Sequence, residues 1–335
     1  MAQRLIRYPG MKRAPMEFRS AEALPPGRWQ FEPKWDGFRC IVTRNGAKVE
    51  LTSKNGQSLG RYFPELVDRC RALRARRFEV DAEIVMRSSR ESFDTLLERI
   101  HPAASRVNLL AKKTPASLLV FDLLRDDRGD NVAALPLVQR RKALESFARR
   151  YFGTAPGIKL SPATTSRATA ARWLAKPQPA MDGVIAKDFN ADYRAGLRDG
   201  GVKIKRVRTA DCVVGGFRYA SAGRVIGSLL LGLYDKAGKL NHVGFTSSFD
   251  ADERRKLVSK LRPLIAEPGF TGKAPGGPSR WSTSRTEEWE PLKPTLVAEV
   301  AFDRVTNERI RHGARFVRWR PDKAPRLCTM AQLKS

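Results

Sequence analysis

Histidine and cysteine are scarce in this chain. Only three histidines occur among 335 residues, His101, His242 and His312, and four cysteines stand far apart at Cys40, Cys70, Cys212 and Cys328. No C-x-x-C pair exists. Zinc ligation needs clustered thiolates and imidazoles, so no zinc site is expected, and no disulfide framework. Reduced thiols, as in a cytosol, are the expected state. Long apolar runs are missing too. The opening MAQRLIRYPGMKRAPM has no apolar core of signal-peptide length, and no run approaches the roughly 20 residues of a membrane span. The expectation is a soluble, cytoplasmic protein with no membrane partner.

Negative charge is also short. Lys and Arg number 63 against 35 Asp and Glu, a net of +28. Up to Lys205 there are 39 cations against 22 carboxylates, and after it 24 against 13. The excess therefore covers both parts of the chain. A polyanion that meets both is implied, nucleic acid first; a generally basic, solvated surface is the alternative. The length suits two domains, and 41% hydrophobic residues suffice for a sizeable core.

What is present reads as alternating sheet and helix. Cys40–Thr43 and Lys48–Leu51 flank Asn45-Gly46, a hairpin signal. Residues 63–77 carry apolar side chains at helical spacing, 78–85 return to a strand, and 92–100 read as a short helix. Ser117–Leu124 is an apolar run with Asp122 inside it, the pattern of a buried strand ending at a site. Helices are expected over 136–151, which opens with proline, and over 164–175. Val184–Ala186 suits a short strand. Beyond Thr209 the texture changes to glycine-punctuated strands (212–217, 225–234, 240–244) and a helix over 250–266 with a capping-box start. A Gly/Pro/Ser-rich loop, Pro268–Ser284, precedes two last strands, 295–302 and 315–319. Short strands with one helix suit a small barrel of the OB type.

Chemistry concentrates in Glu32-Pro33-Lys34-Trp35-Asp36-Gly37-Phe38-Arg39. Alone, K-x-D-G-x-R is as readily a charged hairpin edge. A lysine amine attacks phosphorus only when neutral, so burial or neighbouring cations such as Arg39 must lower its pKa. Gly37 would let the backbone approach a ligand closely. Lys203-Ile204-Lys205 alternates on a strand and puts both ammonium groups on one face, as a basic strand edge also does.

These strings form an ordered series. Lys34–Arg39 resembles the first motif of the covalent nucleotidyltransferases, which comprise DNA ligases, RNA ligases and capping enzymes. Ser53-Lys54-Asn55-Gly56, Val80-Asp81-Ala82-Glu83, Phe121-Asp122, Asp182–Lys187, Lys203–Lys205 and Arg320-Pro321-Asp322-Lys323 resemble the later motifs in order. EPKWDGFR, RYFPELV, RTADCVVGGFR and FVRWRPDKAP are similar to bacterial ATP-dependent ligases of the ligase C type, relatives of the ligase module of ligase D.

The resemblance implies an α+β fold: an adenylation domain over 1–207, with antiparallel sheets flanked by helices, and an OB-fold β-barrel over 208–335. It implies an ATP-dependent DNA ligase that seals 3′-hydroxyl/5′-phosphate nicks in duplex DNA, through AMP carried on Lys34 and then on the DNA end, in repair. Lys34, Asp36, Arg39, Lys203 and Lys205 would form the catalytic set. Glu32, Arg39, Glu83, Phe121, Lys187, Lys203 and Lys205 would hold ATP, with Phe121 stacked on adenine and Lys187 on phosphate. Arg320, Asp322 and Lys323 would orient pyrophosphate. Glu83 and Asp182 would hold magnesium or manganese, and Ser53, Lys54 and Asn55 would meet DNA. The two lysines of the K-x-K pair would help depress the pKa of Lys34. A monomer is implied, with a repair polymerase or primase as possible company. Asp182, Lys54 and Ala82 depart from the commoner glutamate, arginine and glycine. An RNA ligase or capping-type enzyme, or an idle nucleic-acid-binding module, is the alternative.

Overall fold

The computed structural model describes residues 14–86, 92–153, 155–176, 180–220, 225–276, 288–303, 305–306, 308–311 and 313–333. Most of the amino-terminal segment, His312 and the far part of the Pro268–Ser284 loop lie outside the described residues. Two compact units meet at Arg206 and Val207.

The first unit carries two sheets. One orders β1 (Arg19–Ala21), β9 (Gly201–Lys205), β8 (Met181–Lys187) and β2 (Gln30–Trp35), with only β1 and β9 parallel. The other orders β4 (Lys48–Ser53), β3 (Phe38–Asn45), β5 (Arg77–Val85), β6 (Ser117–Arg125) and β7 (Ile158–Leu160), antiparallel except for β6–β7. The helices are α1 (Pro64–Ala72), α2 (Ser92–Leu97), α3 (Ala104–Lys113), α4 (Leu137–Tyr151) and α5 (Arg167–Ala175). Gly46 takes the left-handed conformation, φ 61°, that the tight β3–β4 turn demands.

Helix α1 stops at Ala72, short of the expected residue 77. Leu73 turns extended, and Arg74, Arg76 and Arg77 face solvent, so no apolar stripe continues the helix. Helix α3 was not foreseen. Its buried stripe is only Val107 and Ala111, too thin a periodic signal. Leu66, Cys70, Leu144 and Phe147 pack α1 and α4 on Val42, Val80 and Val120 of the five-stranded sheet. Phe31, Trp35, Val184 and Ile204 pack with Ala170 of α5 beneath the other. Full burial of a side chain such as Phe31 contributes roughly 1.5–3 kcal/mol.

The second unit is built on β10 (Arg208–Tyr219), β11 (Ile226–Tyr234), β12 (Leu240–Thr246), β14 (Val297–Phe302) and β17 (Arg315–Trp319), in the order β12–β11–β10–β14–β17. A short β13 (Glu290–Pro291) also pairs with β10, and β15 (Val305–Thr306) pairs with β16 (Arg309–Ile310). This five-strand order, with one helix, suits the expected OB-type domain, although no sheet among the described residues closes fully into a barrel. Among the described residues the two end strands meet through one bridge, Thr246 to Ala314, where closure needs a ladder. Helix α6 (Ala251–Leu261) opens with the expected capping box: Asp250 Oδ1 accepts from Glu253 N at 2.8 Å, and Glu253 Oε2 from Asp250 N at 2.9 Å. It ends before Pro263, which lacks the N–H a further turn requires.

Candidate active site

A cavity of about 420 Å³ opens between the two sheets of the first unit. It is lined by Glu32 and Lys34 of β2, Lys187 of β8 and Lys203 of β9 from one sheet, and by Arg39 of β3, Glu83 of β5 and Phe121 of β6 from the other. Strand alternation explains the β2 contribution. Phe31 and Trp35 point into the core, so Glu32 and Lys34 point the other way. The K-x-D-G-x-R string straddles the passage of the chain from one sheet to the other. Gly37 sits at that passage, where a Cβ would lie 2.0 Å from the Ile84 carbonyl oxygen. The close approach expected toward a ligand is therefore made to the neighbouring strand.

Lys34 Nζ donates to both oxygens of Asp182, at 2.7 and 2.9 Å. Simple alternation would put Asp182 on the face of Val184 and Ala186, away from the cavity. The register skips from Lys34–Gly183 to Trp35–Met181, leaving Asp182 as the extra residue of a bulge, and the bulge turns its carboxylate to the amine. Phe121 also stands at a register shift, between the pairs Asp81–Asp122 and Ala82–Val120.

The expectation that cations depress the pKa of Lys34 is corrected. Burial is the largest influence and lowers it, but Asp182, Glu83 and Asp36 together raise it above the ordinary value. The amine is held protonated here. Burial, helped by the charges of Asp81 and Asp182, pushes the Glu83 carboxyl up to about 8 against the pull of Lys34 and Arg39. Glu83 Oε1 accepts from Gly37 N at 3.1 Å. Lys203 is pulled below its ordinary pKa by burial and by Lys34 and Lys54. Lys205 is exposed and is not among the cavity residues.

Arg39 forks onto Asp81, Nε to Oδ1 at 3.0 Å and Nη2 to Oδ2 at 2.6 Å, with its guanidinium 5.4 Å from the Phe121 ring centre. Lys187 Nζ lies 5.1 Å from the same centre. It is buried, bonded to Glu32 Oε2 at 2.8 Å and 3.8 Å from Asp122 Oδ2. The lysine expected on phosphate is thus tied to the glutamate expected near adenine. Ser53, Lys54 and Asn55 line the cavity, and Lys54 pairs with Glu17 at 2.9 Å. Ala82 is fully buried in the core, so its methyl group fills space there. In the second unit Arg320 grips Asp322 and Asp211, and Lys323 lies 3.7 Å from Asp211.

Sequence reasoning gave no role to Glu17, Asp81, Tyr193, Arg140 or Asp211. The Asp81 and Asp122 carboxylates, set in apolar strands, were the available signal, since a charge buried among hydrophobes needs a partner. Asp122 binds the fully buried Arg140 at 3.0 and 3.2 Å.

Two glutamate- and aspartate-bearing strands do not by themselves make a metal centre. Among the described residues no cluster of three or more possible metal ligands occurs. Glu83 and Asp182 are two carboxylates that sense each other's charge. A hard divalent cation is commonly held by one or two carboxylates, with water and substrate phosphate supplying the rest, so the donor chemistry of the pair suits such an ion once Asp182 leaves Lys34. No helix among the described residues is long and apolar enough to cross a membrane.

The ATP dependent DNA ligase domain matches residues 16–205, and the ATP dependent DNA ligase C terminal region matches 222–323. DNA ligase C of Mycobacterium tuberculosis is 42% identical, over 96% of this chain and 93% of that protein. DNA ligase C2 of Mycolicibacterium smegmatis is 41% identical, over 96% and 94%. The multifunctional non-homologous end joining protein LigD of Mycobacterium bovis is 30% identical over 90% of this chain, which corresponds to 37% of its own length. A solved Lig E DNA ligase, 17% identical with a TM-score of 0.55 over 91% of this chain and 99% of that one, shares the fold. With two ligase domains matched in order, the first of them holding the cavity that contains the K-x-D-G-x-R lysine, the chain belongs to the ATP-dependent DNA ligase family.

Proposed function

We propose that this chain seals nicks in duplex DNA, with Lys34 as the residue that carries AMP. The observation behind the assignment is the placement of Lys34 in a cavity with Arg39, Glu83, Phe121, Lys187 and Lys203. Its neighbours supply what phosphoryl chemistry needs, which is positioning and opposed charge.

The Lys34 amine attacks the α-phosphorus of ATP, the bond to the β-phosphate oxygen breaks, and pyrophosphate leaves. The amine must first be neutral and free of Asp182. Burial, the largest single influence on it, lowers its pKa, and loss of the aspartate's charge lowers it further, against the remaining pull of Glu83 and Asp36. Lys203, which lines the same cavity, would meet the phosphates. The Phe121 face, flanked by Arg39 and Lys187, offers a stacking surface for the base. Glu32, which lines the same cavity, would accept from an exocyclic amine of the base. Glu83 and Asp182 would hold a magnesium or manganese ion, which neutralises charge on phosphate oxygens. Asp36 and Lys205 complete the proposed catalytic set, and Arg320, Asp322 and Lys323 serve the pyrophosphate end of ATP.

AMP then passes to the 5′-phosphate of the nick, and the 3′-hydroxyl displaces it. Ser53, Lys54 and Asn55 at the cavity rim take the DNA end. The repair assignment is supported by the relative named a multifunctional non-homologous end joining DNA repair protein, LigD of Mycobacterium tuberculosis.

Incubation with α-labelled ATP and magnesium or manganese, followed by denaturation, tests the proposal. Label retained on wild type and absent from Lys34→Ala is expected. Wild type without label under either metal overturns it.

A further inference from the structure

Tyr193 is not a cavity residue, yet it joins the two charged networks that reach Phe121. Its hydroxyl donates to Oδ2 of Asp81, and its oxygen accepts from Met16 N at 3.0 Å. Asp81 in turn grips Arg39 through both carboxylate oxygens. On the ring side, the Arg140 guanidinium lies 5.9 Å from the Tyr193 centre. Arg140 holds Asp122, and Asp122 stands 3.8 Å from Lys187. Asp81 and Asp122 face each other across β5 and β6. Both cations beside Phe121 therefore trace back to one phenol.

We infer that Tyr193 is a positioning residue for nucleotide binding, acting through Asp81 on Arg39. The inference rests on the reading of the cavity as the ATP site. A carboxylate can rotate about its Cβ–Cγ bond, and an arginine fork bonds it well only when the two are coplanar. A third donor, on the Oδ2 that also accepts from Arg39 Nη2, fixes that rotation. Arg39 then presents its remaining N–H groups to the cavity in one orientation. A purely structural filler needs no hydroxyl, because phenylalanine occupies nearly the same volume. A buried phenol is costly unless its O–H and oxygen are both bonded, and here both are.

The test is equilibrium binding of ATP without divalent cation, so that turnover does not intervene. Tyr193→Phe keeps the ring over Arg140 and removes the hydroxyl. Its Kd for ATP is expected to rise about tenfold, with Tm lowered by a few degrees because Met16 N loses its acceptor. In an Arg39→Ala background the same change should have no further effect, because its route is gone. Asp81→Asn, which keeps the side-chain shape, is run alongside and should show the same dependence on Arg39. An unchanged Kd, or a loss of equal size with and without Arg39, overturns the role of Tyr193. Wild type that binds no ATP at all ends the reading of the cavity instead, and is scored before any variant.

Discussion

Asp182 reaches Lys34 with both carboxylate oxygens, at 2.7 and 2.9 Å, and does so only because a bulge turns it out of the alternation of its strand. Two consequences follow for the nucleophile. The aspartate holds the amine in place, and it holds the proton on.

Asp182→Asn separates those effects. Burial lowers the pKa of Lys34, and Asp182 leads the groups that raise it. Without that charge the amine loses its proton at lower pH. The midpoint of the pH profile for Lys34 adenylylation should move down, while the maximal rate falls on the order of 100-fold with the loss of a carboxylate beside the phosphates. Single-turnover adenylylation across pH 6–10 measures both. A midpoint unmoved or raised in the variant would contradict the ion pair's role.

Glu83 should set a second pH limit. Burial raises its carboxyl to about 8 from an ordinary 4.5. A cation needs the ionised form, so its apparent affinity should climb by up to about tenfold per pH unit until pH 8 and then level. The same shift bears on stability. Between 4.5 and 8 the folded state binds more protons than the unfolded one, so Glu83 makes the first unit less stable as pH rises through that window. Glu83→Gln should flatten both dependences. Metal titrations of adenylylation at pH 6, 7 and 8 would show this, and a wild-type metal requirement independent of pH would rule it out.

Gly37→Ala tests the sheet-to-sheet passage. The added Cβ would meet the Ile84 carbonyl oxygen at 2.0 Å and the Val85 Cγ1 at 3.1 Å. Backbone cannot rotate aside as a flexible side chain can. The expected cost is about 2–4 kcal/mol, seen as a Tm drop of roughly 5–10 °C. Adenylylation should fall further than stability alone explains, because Lys34 and Arg39 flank the glycine. An alanine variant with wild-type Tm and rate would refute the steric account.

Legibility differed by the kind of interaction. The β3–β4 hairpin was readable from Asn45-Gly46, and α6 from Asp250 and Glu253, because their signals are local. Most residues of the cavity were readable because the motif series names them. What the sequence withheld is non-local. Alternation predicts that Asp182 faces away from Lys34, and no string announces the bulge that reverses this. The K-x-K spacing predicts equal roles for Lys203 and Lys205, yet only Lys203 lines the cavity. Lys187 and Glu32 are 155 residues apart in number and neutralise each other in space. Tyr193 and Arg140 carry no motif of their own and gain meaning only through Asp81 and Asp122.

The second unit offers an acid-stability test independent of the cavity. His242 is buried, its Nδ1 lies 3.0 Å from Arg309 Nη2, and its ring meets Phe270 edge to face. Burial, then the charges of Arg309 and Arg218, push its pKa down to about 3 from an ordinary 6.5. Between those values the unfolded chain takes up a proton that the folded unit refuses. Stability contributed by the neutral ring is therefore complete above pH 6.5 and is lost as pH falls toward 3, by at most about 1.4 kcal/mol per pH unit. Gln at this position keeps an acceptor for Arg309 and cannot titrate. Urea unfolding followed by tryptophan fluorescence between pH 4 and 7 should give a sloped stability for wild type and a shallower one for His242→Gln. Parallel slopes would place the acid sensitivity of this unit elsewhere, and the buried imidazole would then be a packing group alone.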